Sequence, residues 1–245
     1  MLSDDFKIVH SGRLDPDIHL PSTSKMELVA FITAELPKWR DHPNRPSAIA
    51  ETTLTDQLCT YLNSAVYYST SWDHIQFRTE TRDEVCAGRS IDLTVRPCAA
   101  TLIIEGRRHT QFDSLFPIEC KRLPTPRDGG RDEREYVITE IGTTGGIQRF
   151  KFGYHGAAHT FAVIIAYVQE RTFSYWLRQV NCWIHELSLG FGSVWEDSDF
   201  IQLVTSNSTS GMCTLGSRHR RQDGLSDCKL HHLWINMKRE KMDRN

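Results

Sequence analysis

The sequence predicts an α/β domain in which helices flank a central mixed β-sheet. Three observations carry that expectation. Apolar residues recur at helical spacing in separate stretches, as they do when a helix buries one face. Among these stretches lie short apolar runs of strand length, the most continuous being Thr-Phe-Ala-Val-Ile-Ile-Ala-Tyr-Val at 160–168. The central order is helix, three strands, helix, strand, and 245 residues without a linker or repeat fit one elaborated domain better than two small ones.

Taken in order, residues 1–24 are polar and broken by proline, which predicts an irregular N-terminal arm. A helix is expected over 26–36, ended by Pro37. Ser47, after Pro46, is placed to cap a second helix whose apolar face is Ile49, Leu54, Leu58, Tyr61, Leu62 and Ala65, with Glu51 near its start. Strands are expected at 74–81, 90–96 and 116–123, and 102–105 forms a further short strand or half of a hairpin, because Pro97 interrupts the earlier run. Residues 124–134 offer almost nothing to bury and read as a mobile, solvated loop. Gly145 and Gly146 precede a helix holding Gln148, Arg149, Phe150 and Lys151, and the strand 160–168 follows. Phe173, Trp176, Leu177, Val180, Trp183, Ile184 and Leu187 mark one face of a long helix and are expected in the core. Residues 200–205 and 230–237 read as strands either side of a polar turn.

Composition excludes several classes. The longest strongly apolar run falls far short of the ~20 residues that cross a bilayer, and the first residues lack the basic-then-apolar order of a secretory signal, so a soluble, cytoplasmic protein is expected. Seven scattered cysteines without a Cys-x-x-Cys pair fit free thiols in a reducing compartment. Cys213, Cys228, His231 and His232 could be imagined around zinc, but the paired spacing of structural zinc is missing. A net charge of −2 decides nothing about nucleic acid, because the basic residues are clustered.

The chemistry-bearing residues are Asp92, in Gly-Arg-Ser-Ile-Asp-Leu-Thr-Val, and the triplet Glu119-Cys120-Lys121, in Phe-Pro-Ile-Glu-Cys-Lys-Arg-Leu. Both runs read as buried strands, where a charge survives only when paired or when it holds a metal. Residues i and i+2 of a strand share a face, so Glu119 and Lys121 point to one place while the Cys120 carbonyl remains available as a ligand. Asp92 on a neighbouring strand would complete two carboxylates and one carbonyl, enough for magnesium, which keeps several waters. A lone Glu-x-Lys is usually a solvated surface pair; apolar flanks, an acid in a similar preceding strand and Glu51 upstream argue otherwise here. Glu80 reads as an edge-exposed charge, and His155 with His159 as packing or phosphate-contact residues rather than metal ligands.

The order from about Ser47 to Val168 resembles the PD-(D/E)XK, restriction-endonuclease-like nuclease superfamily, whose core runs helix, strands bearing Asp and then Glu-x-Lys, helix and strand. The resemblance implies that Asp92 and Glu119 bind Mg2+ (or Mn2+ in its place), that Lys121 assists the nucleophile, and that Glu51 adds a metal or water contact. Ile91 stands where many relatives have proline, and Gln148 is followed at the family's tyrosine spacing by Phe152, with Tyr154 two residues later. Gln148 is accordingly a candidate site residue, with Arg122, Arg149 and Lys151 as candidate nucleic-acid contacts.

Further cations that could form a rim for phosphates are Arg107, Arg108, Arg127, Arg131, Arg134, Arg218, Arg220, Arg221, Lys238, Arg239, Lys241 and Arg244. The expectation is a divalent-metal-dependent nuclease acting on DNA, with family resemblance alone suggesting bacterial restriction, repair or phage defence. Lacking a sequence-reading module, it is expected to oligomerise or to answer to a regulatory protein partner. A nuclease-fold subunit that no longer cuts and instead binds nucleic acid or scaffolds a complex is the alternative. A metal-dependent hydrolase of another phosphoester would need the same residues.

Overall fold

The computed structural model describes residues 17–83, 85, 88–99, 101–126, 130–190 and 194–238. Its elements are β1 (Ile18–Leu20), α1 (Ser24–Arg40), α2 (Glu51–Tyr67), β2 (Ile75–Arg82), β3 (Ser90–Pro97), β4 (Leu102–Ile104), β5 (Arg107–His109), β6 (Phe116–Leu123), α3 (Gly146–Lys151), β7 (Phe161–Val168), α4 (Phe173–Ser188), β8 (Gln202–Asn207), β9 (Met212–His219) and β10 (Cys228–Asn236). The large sheet has seven strands in the order β2-β3-β6-β7-β10-β9-β8. It is mixed: β6, β7 and β10 run parallel to their neighbours in that group, and the flanking pairs are antiparallel.

The central strand β7 is buried along nearly its whole length, because helices cover both faces of the sheet. Its Val163, Ile165 and Tyr167 join Leu54 and Leu58 of α2 and Ile32 and Leu36 of α1 in one core. Ala162, Ile164 and Ala166, pointing the other way, join Phe150 of α3 and Trp176, Val180 and Ile184 of α4 in the second. The aromatic face expected on α4 is therefore core. A separate three-stranded sheet, β1-β4-β5, includes the expected hairpin after β3.

Several boundaries differ from expectation. Pro37 lies inside α1, not at its end, because Trp39 is fully buried and Arg40 is anchored by hydrogen bonds to the carbonyls of Ser210 (3.0 Å) and Asn236 (3.3 Å), which hold the last turn on the core. Ser47 does not cap α2; Ala50 occupies that position and Glu51 is the first helical residue. Within the expected arm, residues 18–20 pair with β4, whereas 1–16 lie outside the described residues. Strand β9 was not expected, because Gly216, Ser217 and Arg218 dilute its apolar signal; it is held by antiparallel pairing with β10 and β8. Among the described residues, no helix is long and apolar enough to cross a membrane, and the described cysteines are free. Cys213, Cys228, His231 and His232 are not gathered as a metal-ligand group; His231 instead packs on Phe161, with ring centroids 4.9 Å apart.

Candidate functional site

The ladder between β3 and β6 pairs Val95 with Phe116, Thr94 with Pro117 and Leu93 with Ile118, and then stops. Asp92 is the next residue along β3. Its carboxylate replaces the missing ladder partner, accepting the Cys120 N–H through Oδ2 at 2.7 Å. Two residues on, Glu51 at the first turn of α2 accepts the Arg122 N–H through Oε2 at 2.9 Å. Because a strand residue presents its N–H and carbonyl to the same edge, the Cys120 carbonyl opens into the same gap. On the other side of β3 the ladder passes over Glu80, which is exposed and holds a left-handed φ of 46°.

Glu119 and Lys121 project from β6 towards α3, Glu119 with no exposed surface and Lys121 almost none. Lys121 Nζ lies 2.9 Å from Glu119 Oε1, 3.5 Å from Glu135 Oε1 and 3.8 Å from Glu51 Oε1. Arg149, on α3, donates to Glu119 Oε1 as well. Glu135 is also gripped by Arg131 at 2.6 and 2.7 Å. The cluster floors a cleft of about 930 Å³ bordered by Asp92, Glu51, Arg131, Glu135 and Arg149.

Electrostatics separates the two strand carboxylates. Burial, reinforced by the nearby Glu119 charge, pushes Asp92 up to about 7. Burial acts on Glu119 in the same direction, but Lys121, Arg149 and His155 outweigh it and hold that carboxyl at about 2. Lys121 is pushed above its ordinary value, because Glu119, Glu51 and Asp92 together overcome its desolvation. Burial raises Glu51, while Arg131 and Lys121 overcome burial to lower Glu135.

Three buried polar atoms of the cluster lack a hydrogen-bond partner: Glu119 Oε2, Arg149 Nε and His155 Nδ1. Glu119 Oε2 and His155 Nδ1 are 3.5 Å apart without the alignment a hydrogen bond needs. No protein-family model, curated protein or solved structure matches the chain. Geometry alone has to carry the functional reading.

The structure thus brings Asp92, Glu119, Lys121, Glu51 and Arg149 together. Gln148 turns away: its Oε1 accepts from the backbone N–H groups of Gly145 (3.2 Å) and Thr139 (3.3 Å), closing the approach to α3. Lys151 is not a rim cation as expected. It is 2% exposed and bonds Asp199 at 2.8 and 3.0 Å, because α3 turns that flank into the second core. Arg221 is likewise buried, donating to the His159 carbonyl at 3.0 Å. Arg122 reaches Gln169 (3.0 Å) in an adjoining cleft. Arg218 pairs with Asp227 at 2.9 Å, and Arg127, Arg239, Lys241 and Arg244 lie outside the described residues. Residues 130–134 are partly exposed as expected, yet Thr125 is buried, and Arg131 is a member of the site rather than free rim charge.

Sequence reasoning missed Glu135 and did not foresee that His155, expected as a packing or phosphate-contact residue, meets Glu119. An acid directly before Tyr136 and Val137, both fully buried, was a readable sign for the first. For His155 no local sign existed, since its meeting with Glu119 depends on the turn that follows α3.

Proposed function

We propose that this chain is a divalent-metal-dependent nuclease with a restriction-endonuclease-like core, hydrolysing phosphodiester bonds in DNA. The observation that carries the reading is the convergence of Asp92, Glu119 and Lys121 where β3 and β6 part, beneath a cleft that also receives Glu51 from the start of α2. The element order α2-β2-β3-β6-α3-β7, interrupted only by the small hairpin β4-β5, supports the same core.

The donor set suits Mg2+ or Mn2+. Among the described residues no three His, Cys, Asp or Glu side chains are gathered as metal ligands, but two carboxylates and the Cys120 carbonyl make a smaller demand. Glu119 Oε2, buried and without a hydrogen bond, is the atom that such a cation would satisfy. A bound cation would supply charge neutralisation at the phosphate and an activated water. Asp92, Glu119 and the Cys120 carbonyl would hold it, with Glu51 at the margin. Lys121, held protonated by three carboxylates, places positive charge where the phosphate's negative charge develops and orients water. Arg149 keeps Glu119 ionised and in place.

One observation favours a second reading, a nuclease-fold subunit that binds nucleic acid or scaffolds a complex without cutting. Asp92 and Glu51 both serve as caps for β6 amides, a purely structural use. The decisive comparison puts wild type, Lys121→Ala and Asp92→Ala on plasmid, linear DNA, single strands and RNA, with magnesium, manganese or chelator. Metal-dependent cleavage by wild type that both variants lose is the expected result. Cleavage unchanged in both removes the proposed centre, and no cleavage by wild type on any substrate leaves the scaffold reading.

A further inference from the structure

The cleft over Lys121 does not end at the carboxylates. Past Arg131, Gln179 and Trp183, which border both, it continues into a second concavity of about 1020 Å³. One wall is the flank of α4, where Tyr175, Gln179 and Trp183 recur at four-residue steps. The opposite wall is the end of β6 and the chain leaving it, from Arg122 to Pro126.

Its chemistry is unlike that of the first cleft. Arg122 Nε donates to Gln169 Oε1 at 3.0 Å, and the Gln169 amide is itself fixed on the Ile49 carbonyl at 2.9 Å, so the guanidinium is held in place within the concavity. Tyr175 is braced edge-on against Trp176, with ring centroids 5.1 Å apart, and the Arg171 guanidinium lies 5.5 Å from the Tyr175 centroid. Arg171 is exposed and Tyr175 half-buried, so both are accessible from the groove. Glu133 and Glu170 also border it. Arg131 is engaged with Glu135, which leaves Arg122 and Arg171 to meet an anion.

We infer that the second concavity holds an unpaired nucleic-acid strand leading into the centre, its phosphates on Arg122 and Arg171 and a base stacked at Tyr175. In a duplex the base faces are covered by their neighbours, and aromatic planes inside a groove cannot reach them. An unpaired strand presents phosphates and base faces together, which is what cations beside aromatic rings bind. Stacking is tolerant of base identity, so the preference is for strandedness and not for sequence. The substrate class is then DNA with a single-stranded flank, in preference to blunt duplex. This rests on the nuclease reading of the adjoining cleft.

The test measures fluorescence anisotropy in chelator with a blunt DNA hairpin, the same hairpin carrying an unpaired tail, and the tail alone. Tailed hairpin and tail should bind about tenfold more tightly than the blunt hairpin. Tyr175→Ala should remove about tenfold of that gain. Arg171→Asn, at an exposed residue whose φ of 59° asparagine tolerates, should lower the salt slope for the tail by about 0.7. Neither variant should change blunt-hairpin binding. Equal affinity of wild type for blunt and tailed probes, binding of none of them, or an equal loss on both in the variants overturns the inference. A cleavage arm with magnesium separates the two claims. Selective tail binding without cleavage of any probe sinks the nuclease reading, and the substrate class with it, while the strand-binding role of the concavity stands; blunt duplex bound and cut as well as tailed DNA does the reverse.

Discussion

Two clusters of buried charge lie on the same side of the sheet, and they differ in how completely their hydrogen bonds close. In the first, Lys151 donates to Asp199 Oδ1 and lies 2.8 Å from its Oδ2, His219 Nδ1 meets Asp199 Oδ1 at 2.7 Å, and Glu196 donates its N–H to Asp199 Oδ2 at 2.9 Å. From His219 the chain runs through Ser217 (2.7 Å), His232 (2.8 Å) and Tyr136 (2.7 Å) to the Trp234 indole N–H (2.8 Å). One assignment of protons satisfies every link. Trp234 donates to Tyr136, Tyr136 to His232 Nδ1, His232 Nε2–H to Ser217, Ser217 to His219 Nε2, and His219 Nδ1–H to Asp199, with both histidines neutral. Burial lowers both histidines, which agrees. The cluster at Glu119, by contrast, leaves three buried polar atoms unpaired and opens on a cleft. A closed network is a frame. An open one, with buried polar atoms unpaired beside a cleft, is where ligand chemistry is expected.

Breaking each cluster should therefore give different readouts. The largest effect is expected for Lys121→Ala: loss of about 10³-fold in metal-dependent cleavage, read on plasmid DNA, with binding of tailed DNA in chelator largely kept. Unchanged cleavage would place Lys121 in a frame as well. Next comes Lys151→Ala, which strands Asp199 in the core and should cost about 3–5 kcal/mol, measured by urea unfolding; a cost below 1 kcal/mol would show that the frame is not closed.

Asp92→Asn should do the opposite above pH 7. With its folded value raised from 3.8 to about 7, Asp92 contributes stability below pH 3.8 that is lost as pH rises through about 7. Removing the ionisable group should take Asp92's share out of the pH dependence across that window and raise metal-free stability at pH 8 by on the order of 2 kcal/mol; a parallel pH profile in wild type and variant would sink the assignment. A smaller effect is expected from the histidines. Held below 6.5 in the fold, they stabilise fully above pH 6.5, and that stability falls as pH drops from there towards their folded values. A His232→Gln variant should lose part of that acid slope in thermal melts. The smallest is Thr172→Ala, which removes the hydroxyl that caps α4 by accepting the Tyr175 N–H and should cost about 1 kcal/mol without altering cleavage.

Legibility followed the range of the forces involved. The i, i+2 pairing of Glu119 and Lys121 is a property of any strand, and the apolar flanks of the triplet announced its burial. The helical face of α4 was readable for the same reason. Pro37 misled because propensity at the end of a helix is weak against the burial of Trp39 and the anchoring of Arg40. Lys151 misled because nothing near it in the chain foretells Asp199, 48 residues on, or His219 beyond that.

By itself, then, the sequence determined which residues carry charge into apolar strands, Asp92, Glu119 and Lys121 among them, and the order of elements from about 47 to 168, since periodicity and flanking hydrophobicity are local. Only the tertiary structure decided which charges meet. It set Arg149 and His155 on Glu119, Glu135 on Lys121, and Asp92 and Glu51 on the amides that β6 leaves open. The physical reason is that a charge pair forms through space, and space near β6 is assigned by strands and helices that sequence separation keeps apart.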